Sequence, residues 1–417
     1  MTSVKAVVLG GSGIATPHFV DAILQIPGRT RSVELVLVGR SRGKLETVSR
    51  VCQNRAGTDA HLSVSHTTDV ESAFTDADYV VNQIRVGGMK ARAFDESFPH
   101  EIGLPGEETV GPGGFANASR TIPVVLRYAQ QMAVICPDAL LLSFTNPSSL
   151  VQYAVARYTD VPVIGLCDSP VNLSENIARA LGVPLDELSI DYVGMHHFGW
   201  VVGIWRQGHD LLPEALEKAE EINPKVEPEI TRAIGALPGS YLEYVFHPDR
   251  MLAKKKGKTP RAEELNELYG EILKDYEVSL TTGEEPTLLE QREAGWYEEI
   301  VAPVLIALIE QRQGGVRRRD RFILNVVNQG TVSWLPDDAI VELPSLLENG
   351  HVKPLAVPAV PVDVRRKIQA NCAYERLAVQ AIVENEKEKA LRALMLNPII
   401  HTYDQALGTL ERAWTNL

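Results

Sequence analysis

A thiol and an imidazole placed just after apolar runs can share one metal ion. Two stretches of this chain offer that pair: Gly165-Leu166-Cys167-Asp168-Ser169-Pro170 and Gly194-Met195-His196-His197-Phe198-Gly199-Trp200. Soft sulfur with imidazole, leaving open positions for substrate oxygens, suits a divalent transition ion such as Mn2+, Fe2+, Co2+ or Ni2+. A third stretch opens the chain, Val8-Leu9-Gly10-Gly11-Ser12-Gly13-Ile14. Glycines between a strand and a helix let the backbone turn sharply and approach a pyrophosphate at the helix N-terminus. A metal pair beside a dinucleotide turn points to an enzyme that uses redox chemistry.

Neither signal is complete by itself. A lone buried cysteine is usually a small hydrophobe. The glycine pattern departs from GxGxxG because Thr16 stands where the third glycine is expected. The carboxylate that would hold the adenosine ribose hydroxyls is also absent, since the second strand ends Leu37-Val38-Gly39-Arg40-Ser41-Arg42. Arg40 and Arg42 could instead receive a 2′-phosphate, so both NAD and NADP stay open.

These groups need a scaffold that brings strand ends together. Strands are expected over 5–9, 33–38, 62–65, 79–84, 140–144 and 163–166, with helices over 17–25, 43–54, 119–133 and 148–158. Strands rich in Val, Ile and Leu, separated by helical lengths, indicate βαβ units and a mostly parallel sheet buried on both faces. After Pro170 the pattern changes to longer helical and mixed segments, over 171–181, 261–275, 293–313 and 374–396. The fold class is therefore α/β, a Rossmann-type parallel sheet domain over residues 1–170 followed by an α+β domain over 171–417. Cys167 falls at the carboxyl edge of the sheet, where ligands of open α/β sheets collect. The apolar 374–396 helix suits either the core of the second domain or an interface.

Composition sets the class. The chain has 417 residues, 45% hydrophobic and 23% charged, as an ordinary globular protein does. A net charge of −13 argues against a nucleic-acid partner, which needs a basic footprint. The basic runs Lys254–Lys258 and Arg317–Arg319 read first as solvated surface, although the former could draw an anionic substrate to a nearby site. Four scattered cysteines without CxxC spacing suggest reduced thiols rather than a disulfide framework. No apolar stretch reaches the roughly 18 residues of a membrane span. With a strand starting almost at Met1, a cytoplasmic protein without membrane partners is expected.

Several blocks in order give the chain a family resemblance. They are Asn82-Gln83-Ile84-Arg85-Val86-Gly87-Gly88, Gly106-Glu107-Glu108-Thr109-Val110-Gly111-Pro112-Gly113-Gly114-Phe115 and Phe144-Thr145-Asn146-Pro147. Cys167-Asp168-Ser169-Pro170, Gly194-Met195-His196-His197, Ser240-Tyr241-Leu242-Glu243-Tyr244, Pro260-Arg261-Ala262-Glu263-Glu264 and Leu335-Pro336-Asp337-Asp338 follow. Nearly end to end, the chain resembles the family 4 glycoside hydrolases, most of all those acting as 6-phospho-β-glucosidases. The resemblance implies a fold related to lactate and malate dehydrogenases, bound NAD and a divalent metal, commonly Mn2+. It implies hydrolysis of 6-phospho-β-glucosides, such as cellobiose 6-phosphate, without the usual carboxylate pair. The sugar is oxidised at C3, loses its C2 proton, eliminates the C1 substituent, takes up water and is reduced again.

Carried onto this chain, the resemblance makes Cys167 and His197 metal ligands, with His196 a rival because the family has Asn there. Tyr241 matches the C2 base, with Tyr244 a second choice, and Asp168 matches the leaving-group acid. Arg85 and Arg261 are expected to bind the phosphate and hydroxyls, because guanidinium forks suit phosphate oxygens. Asn146 and Asn172 match substrate-contact positions, and Glu108 an acidic position near cofactor and sugar. Gly10, Gly11, Ser12, Gly13, Ile14 and Arg40 would hold the nucleotide. Homodimers or homotetramers are implied. The alternatives are an α-specific or non-phosphorylated substrate of the same family, and a lactate/malate-type dehydrogenase.

Overall fold

The computed structural model describes residues 3–312, 320–357 and 359–414. The Arg317–Arg319 run and Gln313, the end of one expected helix, lie outside the described residues.

The first six strands are β1 (Val4–Leu9), β2 (Val33–Val38), β3 (Leu62–Thr67), β4 (Tyr79–Asn82), β5 (Leu140–Ser143) and β6 (Val163–Gly165). They pair in parallel in the order β3-β2-β1-β4-β5-β6, which is the doubly wound dinucleotide-binding order. Side chains alternate across a strand, so both faces of these runs must find a core. Val4, Ala6 and Val8 of β1 enter one hydrophobic cluster with Val33, Leu35 and Leu37 of β2. Val7 and Leu9 enter the other cluster with Val36 and Val38. Each of these valines and leucines, fully buried, contributes about 1.5–3 kcal/mol, which explains near-continuous apolar strands.

The sheet does not stop at β6. It continues through β7 (Ser189–Met195), β8 (Phe198–Arg206), β9 (His209–Asp210), β10 (Leu237–Pro238), β11 (Asp320–Val327), β12 (Ile340–Glu348) and β13 (His351–Pro354). The order from β6 outward is β11-β12-β7-β8-β10, antiparallel throughout, with β13 on β12 and β9 on β8. Two of these junctions are thin: β6 meets β11 only at Gly165 and Asn325, and β12 meets β7 only at Gly194 and Glu342. Buried side chains reinforce them. Glu342 accepts hydrogen bonds from Tyr192 (2.9 Å) and Asn325 (2.8 Å), and Gln152 donates to the Asn325 carbonyl (2.9 Å).

The expected helix over 148–158 is found as Ser148–Tyr158, and the 119–133 helix is longer, Gly111–Ile135. Pro112 lies in its first turn, where a missing N–H breaks no helical hydrogen bond. The single helix expected over 374–396 is instead two, Val362–Glu384 and Lys387–Leu394. Asn385, in left-handed conformation (φ 55°), ends the first. Tyr374, Ala378, Val379 and Ile382 are buried in the chain's own core, so that apolar stripe is accounted for internally. The helix expected over 293–313 begins with a π-helical turn, Tyr297–Val301, before Ala302–Arg312. Among the described residues, no helix is long and apolar enough to cross a membrane.

Candidate active site

Along the carboxyl ends of the parallel strands runs a cavity of about 920 Å³. Gly10, Ser12, Gly13, Ile14 and Arg40 line it at one end and Cys167, Asp168, His196, His197 and Tyr241 at the other. The turn after β1 is held by two amides, Gly10 N and Gly11 N, which donate to the Val38 carbonyl (3.0 and 2.8 Å). Gly10 has φ 87°, and Gly11 packs so tightly on β2 that an added Cβ would lie 2.7 Å from Leu37 Cβ. Gly11 is therefore behind the wall, while its neighbours form the wall. Thr16, in the third-glycine position, is buried and accepts a hydrogen bond from Gln83 Nε2 (3.2 Å), which also donates to the Gly10 carbonyl (3.3 Å). Tyr297 Oη donates to Gln83 Oε1 (2.7 Å) and so clamps the same turn from a distant segment.

Cys167 leaves the end of β6, and His196-His197 form the two-residue tip of the β7–β8 hairpin. The ligand atoms of all three lie within 4.8 Å of one another, and all three residues are buried. His197 has φ 60°, a conformation that costs a non-glycine residue about 1–3 kcal/mol and recurs at functional sites. His196 Nε2 pairs with Asn146 Oδ1 (3.0 Å), and its buried Nδ1 has no partner among the described residues. Burial pushes His196 down to about 3, and burial with the neighbouring His196 pushes His197 well below its ordinary value. Both imidazoles are thus neutral, the state a metal requires. Burial, then the nearby Glu342 and Asp168 carboxylates, push the Cys167 thiol well up. An orphaned imidazole nitrogen, neutral rings and a buried thiol within reach of both imidazoles fit a divalent metal.

Tyr241 lies flat on His197, ring centroids 3.6 Å apart and planes 6° from parallel, and His197 stacks in turn on His196 at 3.8 Å. Burial and then the Glu107 carboxylate hold the Tyr241 phenol well above its ordinary value. Asp168 is raised too, by burial, and adjoins the Cys167 thiol. Arg85 forms an ion pair with Glu108 at the cavity wall, and Arg92 lies 3.3 Å from the other Glu108 oxygen. Burial acts to raise Glu108, but Arg85 and Arg92 outweigh it and keep its carboxyl below the usual range. Arg261 also lines the cavity, from the first turn of the Arg261–Thr282 helix, largely exposed and paired with Glu264 (2.8 Å).

Asn172 is the one expected substrate residue that the fold does not bring into this set. It is exposed, donates to Glu299 (3.0 Å) and the Asp168 carbonyl (3.1 Å), and is not on the cavity wall. Tyr244 lies behind Tyr241, off the main cavity, with the Lys255 ammonium 5.0 Å from its ring centroid. Lys255 belongs to the basic run read as surface charge, yet it donates to the Gly106 carbonyl (2.8 Å). The sequence reading missed Thr109, Gln83, Lys44 and Tyr297. The first two sit inside quoted motif blocks, but only the fold shows what they touch.

The chain belongs to the family 4 glycosyl hydrolases. Residues 5–183 match that family and residues 192–400 match the family 4 glycosyl hydrolase C-terminal domain. A probable 6-phospho-β-glucosidase of Bacillus subtilis (strain 168) is 30% identical over 420 residues, covering 95% of this chain and 92% of the relative. A 6-phospho-β-glucosidase structure from Thermotoga maritima, with manganese, NAD+ and glucose 6-phosphate, is similar with a TM-score of 0.87 and 27% identity. It covers 98% of this chain and 97% of that one. A 6-phospho-α-glucosidase structure from gut microorganisms, with NAD and glucose 6-phosphate, has a TM-score of 0.89 and 26% identity, covering 99% and 97%. The lactate dehydrogenase of Eimeria maxima shares the fold alone, with a TM-score of 0.53 at 15% identity.

Proposed function

We propose that this chain hydrolyses 6-phospho-β-glucosides through reversible oxidation of the sugar. One observation carries the reading: a single cavity holds a glycine turn suited to a dinucleotide, a buried Cys/His/His cluster, a tyrosine stacked on that cluster, and arginines that include Arg85 and Arg261. The names of the relatives, and the NAD, manganese and glucose 6-phosphate in the similar structures, support it. Residues 1–170 would hold the nucleotide, and residues 171–417 would add the histidines, the base and Arg261.

Gly10, Ser12, Gly13 and Ile14 would cradle the dinucleotide, and Cys167 with His197, His196 or both would hold the metal. Bound there, the nicotinamide supplies hydride transfer to and from C3, and the cation supplies Lewis acidity. Arg261, free to turn from Glu264, would take the phosphate, while Arg85 and Asn146 would orient the hydroxyls. Tyr241, once a cation beside it had offset the burial and the Glu107 carboxylate and drawn off its proton, would remove the C2 proton made acidic by the C3 carbonyl. The C1–O bond would break as Asp168, whose carboxyl burial holds above its ordinary value, protonates the departing oxygen. Water would add at C1 and give a proton back to Asp168, the proton held by Tyr241 would return to C2, and the alcohol at C3 would be restored with the proton released on its oxidation.

The test uses metal-stripped, nucleotide-free protein and p-nitrophenyl β-glucoside 6-phosphate. Mn2+ and NAD or NADP are added singly and together. Release is expected only with metal and nucleotide together, over many cycles per nucleotide, with solvent deuterium appearing at C2. Release without nucleotide, or product free of deuterium, would sink the proposal. The α-anomer is run in parallel because the similar 6-phospho-α-glucosidase structure supports an α-specific second reading.

A further inference from the structure

We infer that the adenosine end of the cavity is built for a 2′-phosphate, so that this chain binds NADP(H) more tightly than NAD(H). The inference rests on the reading that the cavity takes a nicotinamide dinucleotide.

In a sheet of this order, NAD's ribose hydroxyls are normally held by a carboxylate near the end of the second strand. Here β2 ends at Val38 and Gly39 follows. A Cβ at position 39 would lie 3.0 Å from both Cβ and Oγ of Ser12, so the nucleotide turn itself opposes a side chain there. No other acid takes the task. The cavity wall carries two carboxylates among the described residues, Glu108 and Asp168. Glu108 is paired with Arg85, and Asp168 adjoins Cys167 at the metal end.

Cations stand where the acid is missing. Arg40 and Lys44 are on the wall beside Gly39, and neither side chain has a hydrogen bond or ion pair among the described residues. Arg40 is exposed and can present its fork to phosphate oxygens. Lys44 is partly buried, and that burial pushes its ammonium below the ordinary value, the mark of a desolvated cation without a counter-ion. Its position is unfavourable as well. Arg42 and Lys44 occupy the first turn of the Arg42–Ala56 helix, which has no acidic residue there and no side-chain cap from Ser41. Cations at a helix N-terminus oppose the macrodipole, and a phosphate would relieve both the helix and the lysine.

Calorimetric titration of nucleotide-free protein with NADPH and NADH at low and high salt tests this without any turnover. NADPH is expected to bind about tenfold tighter or more, since one charge-assisted hydrogen bond corresponds to that much. The preference should shrink as salt rises. Lys44→Met and Arg40→Ala should each lower the ratio of NADPH to NADH affinity, and Lys44→Arg should keep it. Equal or reversed affinities in the unaltered protein, or a Lys44→Met variant that weakens both nucleotides alike, would overturn the inference while leaving the dinucleotide site standing. Binding of neither nucleotide would overturn the dinucleotide reading and this inference with it.

Discussion

Thr109 Oγ1 lies 2.9 Å from His197 Nδ1 and donates its own proton to Glu107 Oε1 at 3.2 Å. The hydroxyl, having one proton, must accept from the imidazole, so this network assigns the Nδ1–H tautomer to His197 and leaves Nε2 as a lone pair. Thr109 thus positions His197, the proposed metal ligand, whose backbone is already strained. Thr109→Val should weaken Mn2+ binding roughly 10–100-fold, as loss of an outer hydrogen bond to a ligating histidine does. Thr109→Ser should restore it. Titrating Mn2+ by its free-ion paramagnetic resonance signal reads this directly, and equal affinity in the Val variant would remove the role.

Tyr241 is sandwiched by its stack on His197, so its ring has a packing role that its hydroxyl does not share. Tyr241→Phe keeps the stack and deletes the hydroxyl proposed as the C2 base. Mn2+ and nucleotide affinities should stay close to those of the unaltered protein, while turnover falls about 10²–10⁴-fold, the usual range for a general base. Solvent-deuterium incorporation at C2 should fall with it. Exchange at an undiminished rate would pass the base role to another group.

The parallel half of the sheet was legible because apolar runs of strand length, separated by amphipathic helices, admit few arrangements. Cys167 was placed at the sheet edge for the same reason. The β7–β8 hairpin was not legible, because its two-residue turn is His196-His197 rather than a glycine or asparagine pair. That same departure puts two buried imidazoles at the tip, beside Cys167. Thr109 could not be ranked from sequence either, since its contact is with a histidine 88 positions away, and only the fold places Lys44 on the cavity wall beside Gly39. Asn172 is a reminder that a residue near a ligand in sequence can face away from it.

Glu342 joins three strands at the thin junctions of the sheet, and burial pushes it up to about 8, against the hydrogen bonds from Tyr192 and Asn325. In the unfolded chain it titrates near the ordinary carboxyl value, so between there and about pH 8 the unfolded state binds fewer protons. Stability contributed by this residue is therefore full at low pH and declines as pH rises through that window, by on the order of 4 kcal/mol. Glu342→Gln should flatten this part of the profile. Denaturant midpoints measured from pH 5 to pH 8.5 test it; parallel profiles for the two proteins would show that Glu342 does not titrate across folding.

Tyr297 connects the π-helical turn to the nucleotide loop through Gln83, and its ring stacks on Phe19 at 5.2 Å. Removing only the hydroxyl leaves the stack and frees Gln83, the residue that holds both the Gly10 carbonyl and Thr16. Gln83 Oε1 would then lose its donor, and the loop would lose part of the preorganisation that a close backbone approach to pyrophosphate requires. Tyr297→Phe should weaken dinucleotide binding by about 1 kcal/mol, roughly fivefold, the net worth of one neutral hydrogen bond. Metal affinity should not change, because the Cys167, His196 and His197 cluster is anchored by Asn146 and Thr109 instead. Calorimetry with both ligands separates the two effects: loss confined to the nucleotide supports the clamp, and equal losses would mean that the substitution disturbs the sheet edge as a whole.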